Sequence, residues 1–374
     1  MEFQCNKAEM SFGVKTASRA LGSGSTLPIL AGLKLSVQGS ELKLVATDLE
    51  RAITATIPIE NEGSDGECVL SGQLLSKITG RLPADTLTVQ MDEAGDKLVI
   101  SSGDATFELL LLPVEDYPDI PEAPHESLCQ MERERLVHAL ERTTFAAMSA
   151  RETSRLNLTG VDILTEGESI KLVATNGYRL ALKEEQLSSE TSEGEYLVDA
   201  DALKDLHSIL GSLDDQTVTL AHGSDHLFVQ TAGVTFAARL IQEEYPDFER
   251  VIPSDNSIGL RLNRDAFLDA LGRAEITTAT ESGAVILESR DGTLVVRSSS
   301  AEKGQAEERV PLLKDAESLS VSFRGEYLID ALRRMASSEV VLWLKDGESA
   351  GLLEPSDGED DQGFLYVCMP IRMD

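Results

Sequence analysis

The segment Leu42-Lys-Leu-Val-Ala-Thr-Asp48 recurs 128 residues further along the chain as Ile170-Lys-Leu-Val-Ala-Thr-Asn176. A second segment, Tyr117-Pro-Asp119, returns at the same offset as Tyr245-Pro-Asp247. Several matches in one register indicate tandem duplication rather than chance. The repeated unit is too long for a solenoid, whose repeats span only ~20–50 residues. The sequence therefore predicts a fold built from copies of one large unit.

A third, more diverged copy is marked by Leu294-Val-Val-Arg-Ser-Ser-Ser300, which lies about one period after Ile170. Three copies account for all 374 residues, and each is large enough to form a domain with its own core. Proline-bearing stretches at 112–124 and 245–253 separate the copies, and proline favours stiff, extended connectors. We therefore predict three domains, at 1–125, 126–254 and 255–374.

The composition is that of an ordinary globular protein, with 41% apolar and 26% charged residues. No apolar run approaches the ~20 residues that a membrane span needs, and residues 1–6 lack the features of a signal peptide. The cysteines have no metal-binding spacing, so we expect free thiols and a cytoplasmic location. They are Cys5, Cys68, Cys129 and Cys368.

Each copy has the same coarse order of elements, two amphipathic helices among many strand-like runs. The apolar positions of the six predicted helices are Met10, Val14, Ala17 and Leu21; Leu74, Leu75, Ile78 and Leu82; Leu136, Leu140 and Phe145; Leu203, Leu206 and Leu210; Phe267 and Leu271; and Leu328, Leu332 and Met335. Two helices packed on antiparallel strands define an α+β layer domain.

The polar faces of these helices carry basic side chains, although the formal net charge of the chain is −32. Such a charge by itself argues against binding to nucleic acid or anionic membranes. Basic residues on solvated helix faces are common, so one reading is that they are incidental. The alternative is that the helices share one mildly basic surface. The residues concerned are Lys7, Lys15, Lys77, Arg81, Arg135, His138, Arg142, Lys204, His207, Arg333 and Arg334.

Five segments, in order along the chain, resemble the bacterial β sliding clamp, the processivity subunit of DNA polymerase III. They are Thr26-Leu-Pro-Ile-Leu30, Val45-Ala-Thr-Asp-Leu-Glu50, Ala174-Thr-Asn-Gly-Tyr-Arg-Leu180, Tyr245-Pro-Asp-Phe-Glu-Arg250 and Val367-Cys-Met-Pro-Ile-Arg372. The resemblance implies a non-catalytic protein that forms a head-to-tail homodimer, a ring of six domains around duplex DNA. Helices would line the pore and sheets would form the outer wall. DNA would be held topologically and without sequence preference, and a mildly basic pore in an acidic ring fits that mode of binding.

The resemblance also implies a pocket for short linear motifs of the replicative polymerase, the clamp loader and repair polymerases. An apolar cleft with an adaptable methionine suits aliphatic and aromatic anchors. Its expected residues are Arg155, Leu158, Thr175, Gly177, Tyr178, Arg179, Leu180, Pro246, Arg250, Val251, Tyr327, Val367, Met369, Pro370, Ile371 and Arg372. From the sequence alone, residues 367–371 could instead be a last core strand.

Family position also implies a subunit interface and a set of DNA-facing residues. At the interface, Phe107 and Leu109 would meet Ile276 and Thr277 of the other subunit. The DNA-facing set is Lys7, Lys15, Lys77, Arg81, Arg135, His138, Arg142, Lys204, His207 and Arg333. Gln73, Gly80 and Asp201 stand where a base could be expected, and Arg81 would compensate for Gly80.

Other motifs do not predict a cofactor, a metal or catalysis. Gly22-Ser-Gly24 follows a helix and precedes a strand, the reverse of a phosphate loop. His222 and His226 flank a hairpin turn without a third ligand, and 359–361 is expected to be a solvated acidic loop. No nucleophile stands in a catalytic frame.

Two other functions remain consistent with the residues alone. One is an acidic three-domain scaffold that binds peptides without encircling DNA. The other is a hydrolase built around Asp48, Glu50 and Arg51.

Overall fold

A computed structural model describes residues 1–22, 27–61 and 65–372. Part of the Gly22-Ser-Gly24 motif and the first residue of Thr26-Leu-Pro-Ile-Leu30 lie outside the described residues. The contacts divide the chain into two compact units. The first comprises residues 1–133 and 208–240, and the second comprises residues 134–207 and 241–374.

Within the described residues, six α-helices lie near the predicted positions, two in each copy. They are α1 Lys7–Ala17, α2 Gly72–Thr79, α3 Arg133–Thr143, α4 Ala200–Leu210, α5 Arg264–Glu275 and α6 Gly325–Leu332. The helical period predicts Leu21, Leu82, Phe145 and Met335 within helices, but they lie just beyond the helix ends.

Helix starts also follow the repeat. Ser71 caps α2, because its Oγ accepts a hydrogen bond from the Leu74 amide at 3.3 Å. One period later Asp199 accepts from the Ala202 amide at 2.9 Å and begins α4. Such side-chain caps satisfy backbone donors that a helix start leaves unpaired.

Strands make up most of the remaining described chain. They are β1 Glu2–Asn6, β2 Gly32–Gln38, β3 Glu41–Thr47, β4 Arg51–Pro58, β5 Glu60–Asn61, β6 Gly66–Ser71, β7 Thr86–Met91, β8 Lys97–Ser102, β9 Ala105–Leu112, β10 Cys129–Glu132, β11 Gly160–Thr175, β12 Arg179–Asp199, β13 Thr217–His222, β14 His226–Gln230, β15 Val234–Arg239, β16 Ile258–Asn263, β17 Ala284–Arg290, β18 Thr293–Ser300, β19 Gly304–Pro311, β20 Leu319–Arg324, β21 Glu339–Leu344, β22 Gly351–Pro355 and β23 Phe364–Cys368.

The first unit contains one sheet in the order β10-β13-β14-β15-β4-β3-β2-β6-β9-β8-β7-β1-β5. The second unit contains two sheets, β11-β12-β23-β22-β21-β16 and β19-β18-β17-β20. Strands β3 and β4 carry alternating or continuous buried apolar residues, as expected for strands covered on the helix side.

Pairing between copies repeats with the sequence. In the first unit β4 of copy one pairs with β15 of copy two, with Ala55 opposite Val234. In the second unit β12 of copy two pairs with β23 of copy three, with Lys183 opposite Phe364. Strands of successive copies therefore share sheets, so the compact units cut across the sequence repeat.

The two repeated segments contact each other in both copies. The Tyr117 hydroxyl donates to the Val45 carbonyl at 2.9 Å, and the Tyr245 hydroxyl donates to the Val173 carbonyl at 3.3 Å. Both tyrosines are buried. Burial raises the pKa of both phenols, which therefore stay protonated donors. This contact gives a physical reason why the two segments recur in one register.

Candidate peptide-binding cleft and basic helix faces

The turn between β11 and β12 is built by the side chains of Thr175 and Asn176. Thr175 Oγ1 accepts from the Gly177 amide at 3.1 Å and donates to the Arg179 carbonyl at 2.7 Å. Asn176 Oδ1 accepts from the amides of Tyr178 and Arg179 at 3.0 and 3.1 Å. Gly177 has φ of 84°, a conformation that glycine adopts without steric cost. The turn presents the exposed Tyr178 ring beside a tightly held backbone.

Copy one has the same turn with different outward residues. Thr47 and Asp48 make the corresponding hydrogen bonds, to the amides of Leu49 and Arg51 at 3.0 and 2.8 Å respectively. Leu49 occupies the glycine position with φ of 79°, and Glu50 stands where copy two has Tyr178. The two turns share their backbone hydrogen bonds, whereas the side chains that they present to solvent differ.

Beside the turn in copy two lies a cleft of about 230 Å³ in the second unit. Its lining residues are Arg155, Leu158, Thr175, Gly177, Tyr178, Arg179, Leu180, Pro246, Asp247, Phe248, Val251, Val367 and Met369. Among the lining residues with large exposed apolar surface are Tyr178, Val251 and Met369. Beneath them a buried cluster that includes Val173, Leu180, Tyr245 and Val367 supports the floor. The cleft can hold apolar side chains of a ligand.

The cleft brings together most of the residues expected from the resemblance. It adds Asp247 and Phe248, which belong to the repeated Tyr245-Pro-Asp segment and its neighbour. Asp247 repeats Asp119 of copy one, so the recurrence identifies it. Phe248 does not recur, since copy one has Ile120 there, and only the resembling segment 245–250 indicates it. Five expected residues do not line it, namely Arg250, Tyr327, Pro370, Ile371 and Arg372.

Arg250, Ile371 and Arg372 make other contacts within the second unit. The Arg250 side chain is highly exposed and forms an ion pair with Asp247 at 2.6 Å. Ile371 and Arg372 line a second cavity of about 510 Å³ together with β20 residues that include Ser322. The Ile371 amide donates to the Ser322 carbonyl at 2.7 Å, which holds the chain end on that strand.

The guanidinium of Arg179 is committed to neighbouring groups within the second unit. It donates to Asp330 Oδ2 and to the Phe145 carbonyl, both at 2.7 Å, and stacks on the Tyr327 ring at 4.6 Å from its centroid. Arg179 therefore forms a wall of the cleft, and Tyr327 is the ring that holds this wall in place.

The segment 367–371 contains both the end of a core strand and part of the cleft wall, the two alternatives that the sequence leaves open. Val367 is 2% exposed within β23 and also lines the cleft. Met369 lies beyond the strand end, is 43% exposed, and donates its amide to the Tyr178 carbonyl at 2.9 Å. The last strand thus positions Met369 over the cleft.

The predicted DNA-facing residues differ in exposure. Six side chains are exposed, those of Lys15, Lys77, Arg81, Arg135, Lys204 and Arg333. Lys7, His138 and His207 are half-buried, and the Lys7 ammonium donates to the Leu82 carbonyl. Burial lowers the pKa of His207, so its imidazole is mainly neutral at neutral pH.

Arg142 is not part of an exposed basic face. Its side chain is 3% exposed, and its Nε and Nη2 donate to Asp361 Oδ1 at 2.8 and 2.6 Å. Asp361 is itself fully buried, which corrects the expectation that 359–361 is a solvated loop. Burial alone would raise the pKa of Asp361, but hydrogen bonds from Ser337 and Arg142 lower it overall.

Two of the predicted interface residues lie on β9, and the other two directly follow α5. Phe107 is half-buried and Leu109 is 5% exposed within its own unit, whereas the neighbouring Leu110 is 74% exposed. Ile276 is 70% exposed, and the Thr277 hydroxyl is bonded to Ser298 Oγ at 2.6 Å. Of these residues, Ile276 and Leu110 offer the most apolar surface.

Asp48 and His226, which belong to motifs set aside above, have local structural partners. Asp48 Oδ1 accepts two backbone amides of its own turn, so it acts as a turn residue. His226 pairs with Asp225 at 2.8 Å. Within 1–22, 27–61 and 65–372, no group of three or more potential metal ligands is found. None of the helices described is both long enough and apolar enough to cross a bilayer.

Three tandem α+β copies, with an apolar cleft beside the turn of the second copy, define a protein of the clamp class. Family models for the DNA polymerase III beta subunit match its N-terminal domain to residues 1–121, its central domain to 130–247 and its C-terminal domain to 249–372. The chain belongs to the DNA polymerase III beta subunit family, the beta sliding clamps.

Individual relatives agree with this membership. The beta sliding clamp of Pseudomonas putida is 31% identical over 350 residues, which is 93% of each chain. The DNA polymerase III beta subunit of Thermotoga maritima has a TM-score of 0.92 at 27% identity, with all of both chains covered. A Pseudomonas aeruginosa sliding clamp, solved bound to griselimycin, has a TM-score of 0.92 at 26% identity with the same coverage.

These matches confirm the family, the α+β clamp fold and the sliding-clamp function predicted from sequence. They also support a non-catalytic subunit rather than a hydrolase. They do not favour the acidic scaffold that binds peptides without encircling DNA.

Proposed function

We propose that the chain, as three domains at 1–125, 126–254 and 255–374, closes head to tail with a second copy around duplex DNA. The observation that supports this is a strand-pairing pattern that is left incomplete in the first and third copies. Strands β4 and β12 each pair with the last strand of the next copy. The corresponding strand of copy three is β19, an end strand of its sheet in the described chain.

The complementary edge belongs to β9, the last strand of copy one. Only Leu111 and Leu112 of β9 pair with β6, so among described strands residues 105–110 pair on one side only, with β8. An unpaired edge invites pairing with another chain. Two identical chains that each offer one β9 edge and one β19 edge can close into a ring through two equal contacts.

The register of the proposed contact follows from the two pairings within the chain. Carried to copy three, it sets Glu308 opposite Ala105 and Ala306 opposite Phe107. These four side chains are all half-buried, so the register aligns like faces of the two strands. Exposed Ile276 and Leu110 would add apolar contact beside the strands.

A disulfide trap tests this register. The double variant Ala105→Cys with Glu308→Cys should form a covalent dimer on mild oxidation, because directly opposed antiparallel residues lie ~4.5–5.5 Å apart at Cα. The four natural cysteines are buried, which limits background. Ala105→Cys with Glu307→Cys is the control, since Glu307 lies on the opposite strand face. Equal cross-linking of both variants would contradict the register.

DNA would pass through the ring near the exposed lysine and arginine side chains. The six exposed residues Lys15, Lys77, Arg81, Arg135, Lys204 and Arg333 are the candidates, and Lys204 already pairs with Asp201 at 2.8 Å. A chain with net charge −32 gains little from phosphate contacts, so retention should be topological. Cross-linked rings on circular plasmid should resist high salt and leave after the plasmid is linearised. Equal loss from circular and linear DNA would contradict encirclement.

The cleft would receive short linear motifs of the replicative polymerase, the clamp loader and repair polymerases. Its exposed apolar residues and rigid turn suit one aliphatic and one aromatic anchor. A labelled pentapeptide with a leucine and a terminal phenylalanine should bind, and Val251→Asp should abolish binding without changing dimerisation. Unchanged binding by Val251→Asp would locate the peptide elsewhere.

A cytoplasmic location follows from the replication role and accords with four reduced, buried cysteines. Fractionation of cells that express the chain should recover it with cytoplasmic markers. Recovery in membrane or secreted fractions would contradict this location.

A further inference from the structure

One buried carboxyl in the second unit lacks the partners that buried charges need. Asp162 in β11 is 1% exposed, and its Oδ1 has no hydrogen-bond partner among the described residues. An ionised carboxylate in that state is strongly disfavoured, so the group stays neutral or the surrounding structure loosens. None of the cleft geometry described above uses this residue directly.

A second carboxyl faces Asp162 from the neighbouring strand. Asp162 lies opposite Leu197, and Glu195 lies opposite Leu164, so the two acids are diagonal neighbours on one face of the β11–β12 hairpin. Burial, and secondarily the charge of Glu195, raises the pKa of Asp162 to about 7. Tyr245 is the other titratable group near Asp162, and it remains a neutral phenol.

Copy one holds an ion pair at the same two positions. Lys34 corresponds to Asp162 and Glu67 to Glu195 at the repeat offset of 128. Lys34 Nζ lies 2.8 Å from Glu67 Oε2, and the cross-strand register is equivalent, with Val69 opposite Lys34. Copy two has replaced the ammonium by a carboxyl, which turns an attraction into a pH-dependent repulsion.

The face that carries Asp162 supports one wall of the cleft. Its neighbours Leu164 and Leu197 pack in the cluster that contains Tyr245 and Phe248. The Ile241 amide donates to the Leu197 carbonyl at 2.8 Å, so the segment that leads to Tyr245 is fastened to the cross-strand partner of Asp162. Four residues of this segment, Pro246, Asp247, Phe248 and Val251, then line the cleft.

We propose that Asp162 is a proton-dependent support of the peptide cleft: its neutral carboxyl holds the segment 241–252 in place, and its ionisation loosens that segment. The inference rests on the proposed peptide-binding function and adds its regulation. Peptide binding would favour the protonated form, and by linkage the affinity would fall as pH rises through neutrality.

The direction of this pH dependence follows from the raised pKa of Asp162. A carboxyl whose pKa is raised in the folded cleft binds its proton there more tightly than in the loosened state. The contribution of this proton to the folded arrangement is therefore complete below the usual pKa of an aspartate, declines as pH rises from there, and is lost once pH passes the folded pKa of about 7. If peptide binds only the protonated form, the dissociation constant at pH 8 should exceed that at pH 6 by about tenfold at most.

Hydrogen exchange of the dimeric, full-length protein tests the support without any peptide. Wild type and Asp162→Asn are compared at each pH, so that the intrinsic pH dependence of exchange cancels. At pH 6 the ratio of the wild-type exchange rate to the Asp162→Asn rate over the amides of 241–252 sets the reference. At pH 8 that ratio should be at least about threefold higher, because only wild type gains further charge on Asp162. The same ratio at both pH values would overturn the proposal.

Glu195→Gln provides a second variant at an exposed position that does not threaten folding. Removing the Glu195 charge should lower the pH at which the segment loosens, because one cause of the raised pKa is lost. An unchanged midpoint would remove Glu195 from the mechanism and would contradict the diagonal-pair argument.

Peptide binding is measured by fluorescence anisotropy, with the labelled pentapeptide that contains leucine and a terminal phenylalanine, at pH 6 and pH 8. Wild type should weaken at pH 8, while Asp162→Asn should bind equally at both values. Parallel weakening of wild type and Asp162→Asn would refute the coupling. Absence of binding at either pH would instead refute the peptide site, whereas hydrogen exchange would still decide the role of Asp162.

Discussion

Loss of the buried pair between Arg142 and Asp361 should destabilise the second unit strongly. Removing one member of a buried ion pair typically costs about 3–5 kcal/mol, because the other charge is left without compensation. In Arg142→Met, Asp361 keeps the amides of Ala336 and Ser337 at 2.8 and 2.7 Å and the Ser337 hydroxyl at 2.7 Å. These three donors place the expected loss near the lower limit, at about 3 kcal/mol.

Trp343, the single tryptophan, lies in β21 of the same unit and reports unfolding in urea by its fluorescence. Lys204→Met is the matched control, since it breaks an exposed pair with Asp201 and should cost no more than about 0.5 kcal/mol. A loss for Arg142→Met as small as that of the control would refute the reasoning. Retained salt dependence of DNA binding in Arg142→Met would agree with its absence from the basic face.

The same pair predicts an acid response. The pKa of Asp361 is lowered in the folded protein, so this group stabilises the fold above its unfolded pKa and ceases to do so as pH falls through the folded value. Arg142→Met raises the folded pKa of Asp361 and should move acid unfolding to higher pH. Identical acid midpoints for wild type and variant would contradict this linkage.

Three further predictions concern the cleft, the dimer and the repeat. Deletion of 370–374 should leave dimerisation intact and weaken peptide binding, as measured by sedimentation and anisotropy, because β23 ends before the deleted residues. Ile276→Asp should shift sedimentation from dimer to monomer while peptide affinity stays within twofold, and Val251→Asp should do the reverse. Tyr117→Phe and Tyr245→Phe should each lower the free energy of unfolding by about 1 kcal/mol, because each loses one hydroxyl-to-carbonyl hydrogen bond; an unchanged urea midpoint in both would show that these bonds add nothing.

The cleft was largely predictable from the sequence because its walls come from repeated or recognisable segments. Thr175 and Gly177 belong to a turn whose side-chain hydrogen bonds recur at Thr47 and Asp48. What could not be predicted was the direction of the Arg179 side chain. Its partner Asp330 lies 151 residues away, and no local pattern indicates that pairing.

The basic helix faces illustrate the limit of periodicity. A helical period assigns Arg135 and Arg142 to one broad face of α3, but Arg142 is buried and Arg135 is exposed. The difference depends on Asp361, which is 219 residues from Arg142 and belongs to an acidic run that looks solvated in sequence. Charge type alone cannot distinguish a DNA contact from a buried ion pair.

The sequence by itself determined the repetition, the α+β class and the family, because these properties depend on local periodicity and on segments that recur at a constant offset. Only the tertiary structure decided which strand edges stay unpaired, which arginine is buried, and that Asp162 faces Glu195 where copy one has a lysine. The physical reason is that burial and pairing are set by groups distant in sequence. The copies share their backbone contacts, and the partners that each copy meets determine what its side chains do.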